Sequence, residues 1–364
     1  MSKTPQFHGS DLEAVAEYFQ LPQEEIICFG ANVNPLGLSP SVKKVLAEHL
    51  DIISSYPDRN YTSLKNQISS YCHVSPQHIV VGNGCTELIS LFIQLLKPKK
   101  TLLPGPSYSE YEREIILSGG TVIPFPLLQE ESFTLSLSSL YKALENDIDL
   151  LILCNPNNPT STVVQSDELK QILSFCKERN IFIMVDETYV EFVEDIAKIT
   201  AMPLTDYFDN LIVLRGVSKF FAAPGLRFGY GVTGNTNLLA ELDKIKNPWS
   251  LNSVGAYAGE LLLSDKNYMQ KTHSLISSER KRLCKKLHSL PFVQVYEPTA
   301  NFILLKICKD NLTSHDVFMY AIQKGLMIRD CSTFTELTGE FIRFCIMNPE
   351  DNDRLLDCLK EILS

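Results

Sequence analysis

Short runs of consecutive apolar residues recur through the middle of the chain: His78-Ile79-Val80-Val81, Thr101-Leu102-Leu103, Leu150-Leu151-Ile152-Leu153, Ile181-Phe182-Ile183-Met184-Val185 and Leu211-Ile212-Val213-Leu214. Several do not alternate apolar with polar. A strand covered on both faces reads this way, so the runs predict a mostly parallel sheet between helix layers. Between the third and fourth strands of this group, Ser166 is expected to cap a helix, with Asp167 and Glu168 in the first turn, where the helix dipole favours acid. That helix is expected to end near Asn180. Strand, helix, strand is a βαβ rhythm, so the fold class expected is α/β.

From about Asn252 the pattern changes. Charged helical stretches dominate, with strands expected at Ala300–Ile307 and Phe341–Ile346. This predicts a second, smaller α+β domain. Roughly the first forty residues are loop-rich, contain Asn34-Pro35-Leu36-Gly37, and are expected to pack on it as an arm. The division expected is 46–250 for the large domain and 1–45 plus 251–364 for the arm and small domain. A length of 364 residues suits such a pair.

Composition acts here by exclusion. Hydrophobic residues make up 45% and charged residues 21%, an ordinary soluble balance. No apolar run reaches the roughly eighteen residues that span a bilayer. Met1 to Ser10 lacks the order of a secretory signal, so a cytoplasmic protein without a membrane partner is expected. The net charge of −10 argues against a nucleic-acid partner, which needs a basic face. The ten cysteines are scattered without a CxxC pair, so free buried thiols are expected rather than a metal site or a disulfide framework.

Candidate chemistry clusters after the strands, where α/β sheets bind ligands. Gly82-Asn83-Gly84-Cys85-Thr86-Glu87 precedes an apolar helix. Backbone N–H groups at a helix start suit a phosphate. A plain tight turn fits too, and the dinucleotide glycine pattern is incomplete. Cys154-Asn155-Pro156-Asn157-Asn158-Pro159-Thr160 holds two Asn-Pro pairs, which either aim an amide inward or simply turn the chain. In Asp186-Glu187-Thr188-Tyr189 a carboxylate ends a buried strand. That is costly unless it meets a cation, such as a protonated ring nitrogen; a helix cap is the alternative. Arg215-Gly216-Val217-Ser218-Lys219 runs into Phe220-Phe221-Ala222-Ala223. Desolvation there would lower the pKa of Lys219 and make its amine a nucleophile for a carbonyl; a surface lysine is the alternative. Arg227, eight residues on, adds a second cation that fits a phosphate site.

Taken in order, Asn158-Pro159-Thr160, Asp186-Glu187-Thr188-Tyr189, Ser218-Lys219 and Arg227 resemble the signature of fold-type I pyridoxal 5′-phosphate (PLP) enzymes of the aminotransferase class I and II family. The resemblance runs from roughly His8 to Leu363. Two subgroups are similar: L-threonine-O-3-phosphate decarboxylase of cobalamin synthesis and histidinol-phosphate aminotransferase. His8-Gly9, the stretch Gly30 to Gly37, Tyr56-Pro57-Asp58, Gly82-Asn83-Gly84, the stretch Asn247 to Asn252, and Ile328-Arg329-Asp330-Cys331 lean to the first.

The resemblance implies roles. Lys219 holds PLP as an imine, and Asp186 pairs with the ring nitrogen. Tyr189 and Asn158 bond the ring oxygen, and Tyr108 stacks on the ring. Gly84, Cys85 and Thr86, with Ser218 and Arg227, hold the cofactor phosphate. Tyr56 reaches that phosphate from a partner subunit, which makes a homodimer part of the site. Arg329 and Arg343 clamp substrate anions, with His8 and Asn32 on the substrate-phosphate side. Asn158 borders the substrate as well, and no metal takes part. The implied reaction is decarboxylation of a small phosphorylated amino acid: L-threonine O-3-phosphate to (R)-1-amino-2-propanol phosphate, or the serine analogue. Transamination of histidinol phosphate and a non-catalytic PLP-binding protein are the alternatives. Three positions depart from the pattern. Ser161 stands where glycine is usual, Gly216 where relatives often carry a hydroxyl, and Met347 where a second arginine is expected.

Overall fold

The structure, a computed structural model, describes Pro5 and residues 7–364. A short strand β1 (Ile27–Cys28) lies in the N-terminal arm. Seven strands follow: β2 (Ile79–Gly82), β3 (Lys100–Gly105), β4 (Thr121–Pro126), β5 (Leu150–Cys154), β6 (Phe182–Asp186), β7 (Leu211–Gly216) and β8 (Gly229–Val232). They form one sheet in the order β2-β8-β7-β6-β5-β3-β4. Strand β8 is antiparallel to both its neighbours, and all the other pairs are parallel.

Burial explains the apolar runs. All six residues of β7 are buried. Ile183, Val185, Leu211 and Val213 enter one core cluster, while Met184, Ile212 and Leu214 enter another. Successive side chains point to opposite faces, and both faces are covered. Each buried aliphatic side chain contributes roughly 1.5–3 kcal/mol.

Two strands of this sheet carry no such run. Strand β4 is an edge strand with exposed positions and two prolines, which an edge accommodates readily. Strand β8 reads Gly-Tyr-Gly-Val, and its glycines hide it from a hydrophobicity pattern. The helix between β5 and β6 also differs from expectation. It spans Ser166–Lys177 with Gln165 as its cap, not Ser166, and the Gln165 N–H donates to Glu168 Oε2 at 2.8 Å. It stops short of Asn180, which sits in the left-handed region with φ 57°.

In the C-terminal third, β9 (Val293–Tyr296), β10 (Phe302–Ile307), β12 (Arg329–Asp330) and β13 (Glu340–Cys345) form an antiparallel sheet. Strand β11 (Leu326–Met327) instead pairs in parallel with β1, which ties the N-terminal arm to this part of the chain. The helix Ser253–Ser264 packs on the helix Thr62–Cys72, with Gly259 against Leu64. Among the described residues, no helix is long and apolar enough to cross a membrane.

Candidate active site

The carboxyl ends of β5, β6 and β7 open onto one cavity of about 580 Å³, and β12 and β13 close it from the other sheet. Asp186 is the last residue of β6 and is only 4% exposed. Its Oδ1 accepts from the Thr188 N–H at 2.9 Å and the Thr188 hydroxyl at 2.5 Å. Its Oδ2 accepts from the Tyr111 hydroxyl at 2.7 Å. All three donors are neutral, and burial pushes the carboxyl's pKa up against their pull. The helix-cap alternative fails: a turn follows Asp186, and the short 3-10 helix Val190–Phe192 beyond it has Tyr189 at its cap position. A buried carboxylate with only neutral support is suited to a cation delivered into the cavity.

Lys219 lies after β7 and lines the same cavity. Its Nζ donates to the Ala31 carbonyl at 2.7 Å. Burial, then the charges of Arg343 and Arg227, lower its pKa to about 8. The surface-lysine alternative therefore fails. With a pKa of about 8, roughly a tenth of the amine is neutral at pH 7, far more than for an ordinary lysine, and that form is a nucleophile for a carbonyl.

Opposite lies the start of the helix Gly84–Leu96. Gly84 has φ 82°, and a Cβ there would meet Arg227 Nη2 at 2.5 Å. Bare backbone thus lets the guanidinium close on the helix start. Cys85, Thr86, Ser218 and Arg227 all line the cavity. This corner can hold a phosphate, through N–H groups and a cation together. Tyr108 lines the cavity as well, edge-on to Tyr111 with ring centroids 5.5 Å apart.

Tyr189 is buried, and its hydroxyl accepts from Asn32 Nδ2 at 3.4 Å. Burial pushes the pKa of that phenol up, so it is neutral. Asn158 Oδ1 accepts from Arg343 Nη1. Arg343 Nη2 donates to the Gly30 carbonyl at 2.8 Å, while its buried Nε has no partner among the described residues. Arg329 donates to the Phe7 carbonyl and to Thr333 Oγ1 at 2.7 Å. His8 borders the cavity, and its pKa is lowered by burial and by Arg329. Its Nδ1 accepts from the Ser10 N–H at 3.3 Å, so the neutral ring would present Nε2–H.

Three candidates stand apart from the cavity wall, and one of them, Gly84, lies behind the Arg227 guanidinium. Asn32 is linked to the wall through Tyr189, and its buried Oδ1 has no partner among the described residues. Tyr56 lies outside it, 81% exposed, with its ring 4.9 Å from that of Trp249.

The three departures each have a structural account. Ser161 adopts φ 61° as a glycine would, and its hydroxyl accepts from the N–H groups of Thr299 (3.0 Å) and Ala300 (2.8 Å). A Cβ on Gly216 would meet Cys85 Sγ at 2.9 Å, so the thiol fills the room a side chain would need. Met347 packs against the core and adds no charge to the cavity.

Two supports of the site carry no clear sequence signal. Tyr111 is one. The other is the buried pair behind Asp186, where Arg215 Nε and Nη2 donate to Glu187 Oε2 at 2.9 and 2.7 Å. Thr188 was given no role from the sequence, although a threonine two residues after an aspartate is a side-chain turn pattern that signals it.

The chain matches the family model "Aminotransferase class I and II" over residues 24–359. It is 32% identical to the threonine-phosphate decarboxylase of Salmonella typhimurium, covering 98% of this chain and 96% of that one. It is 35% identical to a histidinol-phosphate aminotransferase of Thermoanaerobacter sp., covering 92% of each. Among solved structures, the histidinol-phosphate aminotransferase from Clostridium acetobutylicum superposes with a TM-score of 0.86 at 31% identity, covering 92% of this chain and 98% of that one.

Proposed function

The chain belongs to the aminotransferase class I and II family, whose cofactor is PLP, and from that premise we propose that it decarboxylates a phosphorylated amino acid, L-threonine O-3-phosphate first and its serine analogue next. The residues fit the cofactor. Asp186 lacks a cation of its own and suits the ring nitrogen, Lys219 suits the aldehyde, and the helix start with Arg227 suits the phosphate. Tyr189 and Asn158 would bond the ring oxygen, and Tyr108 would lie on the ring face. The same reading gives residues 46–250 to the cofactor-binding unit, and 1–45 with 251–364 to the unit that supplies the anion clamps. Tyr56 of a second copy would complete the phosphate site, which fits its exposure here.

When bound, PLP supplies an electron sink for the pair released at the substrate Cα. The chain's own part is to hold, orient and screen. Arg329 and Arg343 are buried, so their attraction for anions is little screened by water. Arg329 and Arg343 would hold the substrate's anions and so decide which bond at Cα the bound cofactor would activate: the one to the carboxylate, for CO₂ loss, or Cα–H, whose proton Lys219 would then move.

One observation carries the choice. The cavity presents two buried arginines and a neutral His8 donor beyond the cofactor's own cradle. A phosphorylated amino acid brings two anions, a carboxylate and a phosphate. Histidinol phosphate brings only the phosphate, and its acceptor 2-oxoglutarate brings two carboxylates and no phosphate, so the phosphorylated amino acid alone carries both kinds of anion in one molecule. The second reading, transamination of histidinol phosphate, draws support from the 0.86 TM-score to the Clostridium acetobutylicum enzyme. The test is incubation with L-threonine O-phosphate, with and without 2-oxoglutarate. CO₂ release without a keto acid is the expected result. Acceptor-dependent amino transfer from histidinol phosphate, with no CO₂ from threonine phosphate, would replace it with the second reading.

A further inference from the structure

A carboxylate offers about four acceptor directions. On Asp186, Thr188 takes two at Oδ1 and Tyr111 takes one at Oδ2. One direction is left, on the oxygen that Tyr111 holds. Tyr111 itself is 0% exposed, on the helix Ser109–Leu117, so its hydroxyl has little freedom to turn elsewhere. Burial and the nearby Asp186 charge push its pKa well up, so it is a donor.

We propose that Tyr111 is a positioning residue for the cofactor: its hydrogen bond fixes the plane of the Asp186 carboxylate and keeps it ionised, so that the remaining acceptor direction of Oδ2 meets the PLP ring nitrogen. This rests on the reading of Asp186 as the ring-nitrogen partner. With the phenol oxygen gone, Oδ2 would be a buried charged atom without a donor from the chain. The carboxyl would then hold a proton more tightly or turn toward Thr188, and either outcome withdraws it from the ring.

The experiment measures binding to the apoprotein of PLP and of the PLP analogue with carbon in place of the ring nitrogen. The parent, Tyr111→Phe and Asp186→Ala are compared. Circular dichroism confirms folding, and Tyr111→Phe removes a single atom from a buried ring. Tyr111→Phe should weaken PLP about tenfold, in the range for a bond to a charged group. It should leave the affinity for the carbon analogue unchanged. Equal loss for both ligands would mean a merely structural role and overturn the proposal, as would no loss for PLP. If Asp186→Ala itself leaves PLP binding intact, the reading of Asp186 fails instead. If Asp186→Ala weakens PLP while Tyr111→Phe does not, Tyr111 alone is dismissed.

Discussion

The Lys219 amine donates a 2.7 Å hydrogen bond to the carbonyl oxygen of Ala31, a residue of the N-terminal arm 188 positions earlier in the chain. That bond aims the amine while burial and two arginines keep its pKa near 8. The ammonium form does not attack an aldehyde. Cofactor capture by the apoprotein should therefore quicken with rising pH, about tenfold per unit below pH 8, and level off above it. Stopped-flow absorbance checks this, and a flat profile from pH 6 to 9 would contradict it. In Lys219→Ala, borohydride should no longer fix cofactor onto the chain, as read by mass spectrometry.

Cys85 and Gly216 compete for one space, since a Cβ on Gly216 comes within 2.9 Å of Cys85 Sγ. Gly216→Ser should weaken cofactor binding, by crowding the helix start. Adding Cys85→Ala makes room, so the double variant should bind PLP more tightly than Gly216→Ser alone. Additive losses in the double-variant cycle would show that the two sites are independent.

Gly9 and Gly30 touch backbone to backbone: a Cβ on Gly9 would lie 2.2 Å from the Gly30 oxygen. Arg343 donates to that same oxygen, and Arg329 donates to Phe7 in the same arm. Gly9→Ala should lift the arm that carries His8. On the proposed function, the expected result is a KM for threonine phosphate raised roughly tenfold with PLP affinity changed less, because the phosphate corner at Arg227 and the ring-nitrogen partner Asp186 lie away from the arm. Steady-state kinetics beside a PLP titration separates the two.

Arg215 and Glu187 are 6% and 0% exposed at their side chains, with Glu191 Oε1 3.9 Å from the same guanidinium. Glu191 shows what burial does there: its pKa is pushed up to about 7, with Arg215 pulling the other way. Arg215→Ala would leave acids buried without their cation. The loss should be about 3–5 kcal/mol of stability, visible as a lowered urea midpoint. Arg215→Met, with the same charge removed and more volume kept, should lose less.

Much of the site was legible from the chain because the βαβ rhythm is written in local apolar runs. Strands β5, β6 and β7 follow from Leu150, Ile183 and Leu211 and their neighbours, and the polar residues after them fall at one sheet edge by topology alone. Strand β8 was not legible, since Gly229 and Gly231 leave no periodic signal. Its place between β2 and β7 comes from long-range pairing. Ser166 as the helix cap failed because Gln165 and Glu168 form a capping box one residue earlier. Boundaries shift by a residue or two when neighbouring side chains compete for the same N–H groups.

Residue order alone placed an amine, a carboxylate and a glycine-led helix start at the carboxyl ends of one mostly parallel sheet, because each ends or follows a strand of it. Folding in three dimensions decided the rest: that Tyr111 and Thr188 orient Asp186, that Ala31 aims Lys219, and that Cys85 leaves Gly216 no side chain. The physical reason is range. Strand periodicity comes from neighbours a few positions apart, whereas burial, hydrogen-bond partners and shifted proton affinities depend on atoms that only chain folding brings within a few ångströms.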